Sequence, residues 1–283
     1  MRVSSTRIRA RSGSRLLFCV VVPAAFGTWG CSSQPPLDSA TVERSGTPTT
    51  AQTPTPELRL RVLFMGNSHT TVHDVPATVA AMVSAARPAV SVDVTTAPGH
   101  MFLSERLTDE PTLALMRQGH WDAVVFQAQK YSASGAYSYS TTEAQELVRR
   151  ATARAALPVL FPEWPRRDIP EADRIFELHV SIARQTPACV APVPQAFDES
   201  LKRSPSVSLH ADDGNHSSQE GAFLAALVLF ATITTDSPST VPTLDNGIDP
   251  ATQAQLRVAA TAAVRTAPPR RLCPDAGRFR PGG

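Results

Sequence analysis

Two short segments of the 283-residue chain carry residue types that can do nucleophilic chemistry. The first is Gly66-Asn67-Ser68-His69-Thr70, directly after an apolar run. A strand running into Gly-Asn-Ser makes a sharp turn that lifts a hydroxyl clear of a sheet. The same serine could equally start a helix as an N-cap, with no chemistry. The second is His210-Ala211-Asp212-Asp213-Gly214-Asn215-His216-Ser217-Ser218, just before a strongly apolar segment. Asp-x-x-His on a loop places a carboxylate beside its own histidine, fixing the imidazole tautomer and stabilising the imidazolium. Solvated charges around a serine-capped helix are the bland alternative.

Two further segments supply electrophile-stabilising groups. In Thr96-Ala97-Pro98-Gly99-His100, Gly99 lacks a Cβ, so its backbone N–H can approach a reacting oxygen closely, although Pro-Gly is also an ordinary turn. Gln127-Ala128-Gln129 leaves the apolar run Val124-Val125-Phe126. Buried amides need partners; either both glutamines cap loops or one donates to an oxyanion. Metal binding is the rival chemistry, since His69 and His73 are spaced i, i+4 and His210, Asp212, Asp213 and His216 add donors. No glutamate follows the first histidine and no Cys-x-x-Cys occurs, so neither a zincin nor a zinc-ribbon pattern forms, and no metal is expected.

These segments must be held by regular elements. Strands are expected at Leu58 to Met65, Val90 to Thr95, Asp122 to Gln127, Leu157 to Phe161 and Cys189 to Pro192. Helices are expected at Val75 to Ala86 with Asp74 as N-cap, Thr112 to Gln118, Thr141 to Ala156, Glu171 to Gln185, Ser218 to Thr234 and Pro250 to Thr266. The alternation predicts a parallel sheet flanked by helices, with the site at the carboxyl ends of the strands.

The N-terminus reads as an export signal. Arg2, Arg7, Arg9, Arg11 and Arg15 precede about eleven apolar residues from Leu16 to Phe26, then Gly27, Thr28 and Gly30 before Cys31. This length is short for a membrane span and right for a signal core. Residues 1–30 are therefore expected as a lipoprotein-type signal, with Cys31 acylated, ahead of an ordinary cleaved signal or an uncleaved anchor. Residues 31–57, rich in Pro, Thr and Ser, are expected as a solvated tether. Residues 58–268 form the expected domain and 269–283 a C-terminal tail. Of the four cysteines, Cys19 lies in the signal core, leaving Cys189 and Cys273 to bridge in an oxidising compartment or to stay as two unrelated thiols. Hydrophobic residues make up 42% of the chain and charged ones 18%, enough apolar content for one real core. The formal net charge of +2, with arginines concentrated in the leader, gives no electrostatic case for nucleic acid.

Together the segments resemble the SGNH/GDSL hydrolase superfamily over residues 58–235, and more narrowly its bacterial members with Gly-Asn-Ser in place of Gly-Asp-Ser. The resemblance implies a flavodoxin-like three-layer α/β/α sandwich with a central parallel sheet. It implies Ser68 as nucleophile, His216 as base and Asp213 as its orienting acid. It also implies an oxyanion hole from Ser68, Gly99 and Gln129, the last falling where the family places an asparagine. Trp164, in Glu163-Trp164-Pro165-Arg166, matches an aromatic position expected to line the substrate cleft. The implied activity is acyl- or acetyl-ester hydrolysis without a cofactor, by a monomer tethered at the bacterial cell envelope, on a small-molecule or acylated carbohydrate substrate. A non-catalytic ligand- or carbohydrate-binding lipoprotein on the same fold, and a metal-dependent phosphoesterase, are the alternatives.

Overall fold

The computed structural model describes residues 58–274. The expected signal, tether and acylated Cys31 lie outside the described residues. Five strands, β1 (Leu58–Met65), β2 (Val90–Thr96), β3 (Ala123–Phe126), β4 (Leu157–Leu160) and β5 (Cys189–Val190), pair in the order β2-β1-β3-β4-β5. All pairs are parallel. The order reverses between β1 and β3, the point at which such sheets open a crevice at their carboxyl ends.

The carboxyl half of β1 and the strands β3, β4 and β5 are apolar on both faces, as a sheet covered on both sides requires, whereas the edge strand β2 alternates Val90, Val92 and Val94 with Ser91, Asp93 and Thr95. In β1, Leu60, Val62 and Phe64 enter one core while Leu63 and Met65 enter the other. In β3, Ala123 and Val125 face the first, and Val124 and Phe126 the second. The first core is closed by α2 (Val75–Ala86), α7 (Val193–Arg203), α8 (Gln219–Thr234) and α9 (Pro250–Thr266). The second is closed by α3 (Leu103–Arg106), α4 (Glu110–Gln118), α5 (Thr142–Ala153) and α6 (Ala172–Gln185). The result is a three-layer α/β/α sandwich. Helix α8 is buried on all sides from Gly221 to Thr234, which explains why its sequence is apolar without an amphipathic period.

The expected boundary at residue 268 falls inside the packed structure. Pro269 O accepts the Val190 N–H of the edge strand at 2.9 Å, and Cys273 is bridged to Cys189. Residues 269–274 are thus fastened to β5.

Candidate active site

The turn that carries Ser68, the candidate nucleophile, is built where β1 ends. Gly66 has no room for a side chain, since a Cβ there would run into the Thr70 hydroxyl and the Gln127 amide oxygen. Asn67 is the N-cap of the single-turn helix α1 (Ser68–Thr71), its side chain accepting the His69 N–H at 3.0 Å. Ser68 is therefore the first helical residue and not the cap, and its hydroxyl is free to point away from the turn.

That hydroxyl meets His216. Ser68 Oγ and His216 Nε2 are 2.8 Å apart, and His216 Nδ1 lies 2.5 Å from Asp213 Oδ2. A carboxylate only accepts, so the proton sits on Nδ1 and Nε2 presents its lone pair to the serine. The other Asp213 oxygen accepts the N–H groups of Asn215 and His216, each at 2.9 Å. The bond from His216, followed by these two backbone donors, holds the Asp213 carboxyl well below the usual carboxylate range.

The loop bearing these two residues is closed on itself by a bridge between His210 and Ser217 and by Ala211 N–H to His216 O at 2.9 Å. It is docked on the segment after β4. Trp164 Nε1 donates to Asn215 O (2.9 Å), His210 Nε2 to Pro165 O (2.8 Å) and Arg167 N–H to Gly214 O (2.8 Å). Trp164 was expected to line the cleft; it is instead only 1% exposed, stacked on Phe197 at 5.4 Å. Its bulk fills the core beneath the loop, and its one polar atom holds the carbonyl just before His216.

The loop after β2 is fixed by Arg106, fully buried, whose Nη2 donates to Gly66 O and Gly99 O, both at 2.8 Å. Nη1 adds Pro98 O (2.6 Å) and the Thr112 hydroxyl (2.9 Å). One guanidinium thus clamps the Gly99 turn to the nucleophile turn. Gly99 is left-handed, with φ of 77°, and its N–H makes no hydrogen bond among the described residues; neither does that of Ser68.

Gln129 does not face this space as an oxyanion donor. Its amide spends its two hydrogens on Lys130 O and Ser140 O, both at 3.0 Å, leaving no donor. The chain reverses at Ala128, which is left-handed with φ of 76°, and this carries Gln129 into the loop that follows. The neighbouring Gln127 reaches the nucleophile turn instead. Its oxygen accepts the Asn67 N–H and the Thr70 hydroxyl, each at 2.9 Å, and its nitrogen donates to Glu163 Oε2 at 2.9 Å. Burial pushes the Glu163 carboxyl up to about 7.

His69, weighed in the sequence only as a metal donor, lies between Trp164 and His216. Burial, then the neighbouring His216, lowers its pKa to about 4, so it is neutral at pH 7. Arg106 and Gln127 likewise have structural roles that no local motif announces. Among the described residues, no group of three His, Cys, Asp or Glu side chains is arranged to hold a metal ion.

The solved structures most similar in fold include a candidate SGNH hydrolase from Slackia heliotrinireducens, at 28% identity and a TM-score of 0.50, covering 61% of this chain and 97% of that one. A DUF4886 family protein from Bacteroides uniformis aligns at 15% identity and a TM-score of 0.59, covering 74% of this chain and 96% of that one. No protein-family model and no curated protein matches the chain. The parallel β2-β1-β3-β4-β5 sheet and the similarity to the Slackia protein support a relationship to the SGNH/GDSL hydrolase superfamily.

Proposed function

We propose that the chain is a serine ester hydrolase in which Ser68, His216 and Asp213 form the catalytic triad. The observation that carries the reading is the unbroken line from Asp213 Oδ2 through the His216 imidazole to Ser68 Oγ, at 2.5 and 2.8 Å. His216 takes the Ser68 proton as the oxygen attacks an ester carbonyl, and Asp213 stabilises the imidazolium. The developing oxyanion is received by the unpaired N–H groups of Ser68 and Gly99, whose turns Arg106 holds side by side. His216 then protonates the departing alcohol, and water, activated by the same imidazole, releases the acid from Ser68. The chemistry needs no cofactor.

The proposed substrate is a small-molecule ester or an acylated carbohydrate. A cavity of about 270 Å³ is lined by Phe102, Gln129, Lys130, Tyr131, Tyr139 and Glu163, the last of which accepts the Gln127 amide. Walls that mix aromatic rings with an amide, a carboxyl and an ammonium group suit a hydroxyl-bearing ring better than a long alkyl chain. The leader and Cys31 support export and lipid anchoring at the cell envelope. Hydrolysis of p-nitrophenyl acetate by the purified domain, with Ser68→Ala as control, tests the function. Equal rates for the two proteins would remove the assignment.

A further inference from the structure

His69 joins the two halves of the site. It follows the proposed nucleophile in the chain, its Nδ1 lies 3.2 Å from Asn67 Oδ1, and its Nε2 lies 3.2 Å from Asn215 O, the carbonyl immediately before His216. Asn67 Oδ1 already accepts the His69 N–H, and Asn215 O only accepts. The neutral ring has one N–H for these two acceptors; the bond to the Asn215 carbonyl is the one that favours the protonated ring, so the N–H is assigned to Nε2, donating to Asn215 O. Trp164 Nε1 donates to the same carbonyl, at 2.9 Å. The His69 ring also stacks on His216, with centroids 5.2 Å apart and planes 23° from parallel. His69 is 7% exposed, so water does not replace these contacts.

We infer that His69 is a positioning residue, a strut from the nucleophile turn to the base loop that sets the separation of Ser68 Oγ and His216 Nε2. The inference rests on His216 being the base. The Asp213–His216 pair sits on a surface loop, and half of the Asp213 side chain is exposed. Asp213 orients the imidazole within that loop but does not tie it to β1. Among the described residues, His69 and the Ser68–His216 contact itself are the hydrogen-bonded links from the nucleophile turn to residues 210–217. A strut of this kind acts on the alignment of reacting atoms, so its loss lowers turnover and leaves substrate binding in place.

The test compares kcat and KM for p-nitrophenyl acetate in wild type, His69→Phe and His69→Gln, with thermal unfolding to confirm folding. Phenylalanine keeps a ring against His216 and lacks the donor; glutamine places an amide N–H close to the position of Nε2. His69→Phe is expected to lose about tenfold in kcat with KM within about twofold, and His69→Gln to recover most of the loss. Wild-type kcat in His69→Phe, or a folded His69→Gln no better than His69→Phe, overturns the strut. If His69→Phe does not fold, His69→Asn takes its place, since that amide is too short to reach Asn215; equal kcat for the Asn and Gln variants overturns the strut. Ser68→Ala, run alongside, separates this from the hydrolase reading: an inert wild type, or an active Ser68→Ala, removes that reading and the strut with it.

Discussion

The Gln127 side-chain oxygen receives the Asn67 backbone N–H at 2.9 Å, so the residue leaving β3 holds the turn that carries Ser68. The same oxygen takes the Thr70 hydroxyl, and Gln127 is completely buried. Gln129, two residues on, is turned into its own loop. The two glutamines should therefore separate in mutagenesis. Gln127→Ala leaves a buried N–H and hydroxyl without a partner, which typically costs about 1–3 kcal/mol in stability, and it loosens the nucleophile. Its kcat should fall well below that of Gln129→Ala. Steady-state kinetics and thermal unfolding of the pair check this. A larger loss of kcat in Gln129→Ala would restore it as an oxyanion donor.

Stability should fall as the pH drops from about 6.5 to about 4. Burial holds both His69 and His179 down at about 4, from an ordinary value of 6.5. In that window the unfolded chain binds protons that the folded chain refuses. The stabilisation is complete above 6.5 and lost as the pH falls towards 4, by about 3 kcal/mol per histidine at most. Glu163, raised to about 7, has the opposite sign between 4.5 and 7 and offsets part of the effect. His179 is remote from the triad residues in sequence, and its Nδ1 bonds only Ile175 O within its own helix. His179→Leu should flatten the acid side of the stability curve, measured by denaturant unfolding at several pH values. An unchanged curve would show that His179 is already protonated in the folded protein.

The bridge between Cys189 and Cys273 spans 84 residues and fastens residues 269–274 to the edge strand. Closing a loop of that size contributes about 2–4 kcal/mol. Replacing both cysteines by serine should lower the unfolding midpoint by about 5–15 °C in a domain of this size. The proposed esterase rate at 25 °C should be unchanged in the variant, because the bridge lies at β5 while Ser68 stands at the end of β1. A midpoint unchanged by the double replacement would contradict a stabilising bridge.

Most of the fold was legible because its elements are long and capped. Asp74 caps α2 and Asp249 with Pro250 opens α9, and both helices begin and end where their periodicity does. Helix α7 was overlooked although Val193, Ala196, Phe197 and Ser200 bury one face at helical spacing and a proline occupies its first turn. The single-turn helices α1 and α3 are too short to show any period. The meeting of Ser68, His216 and Asp213 in one hydrogen-bonded line was legible because serine, histidine and aspartate are residue types that chemistry ties to one another. Trp164 and Gln129 were misplaced because their roles depend on which way a chain turns after a strand. A left-handed alanine at 128 decides that for Gln129, and a local sequence pattern does not reveal it. Arg106 was invisible for a related reason: its four acceptors are mostly backbone carbonyls, which every residue has.

The most direct test of the triad is the kinetic coupling of Ser68 and His216. Ser68→Ala, His216→Ala and the double variant are assayed for p-nitrophenyl acetate hydrolysis. Residues acting in one proton transfer are not additive, so each single replacement should remove nearly all activity, about 10⁴-fold or more in kcat, and the double variant should lose little further. Losses that multiply in the double variant, or a Ser68→Ala protein that keeps its rate, would contradict a shared Ser68–His216 mechanism.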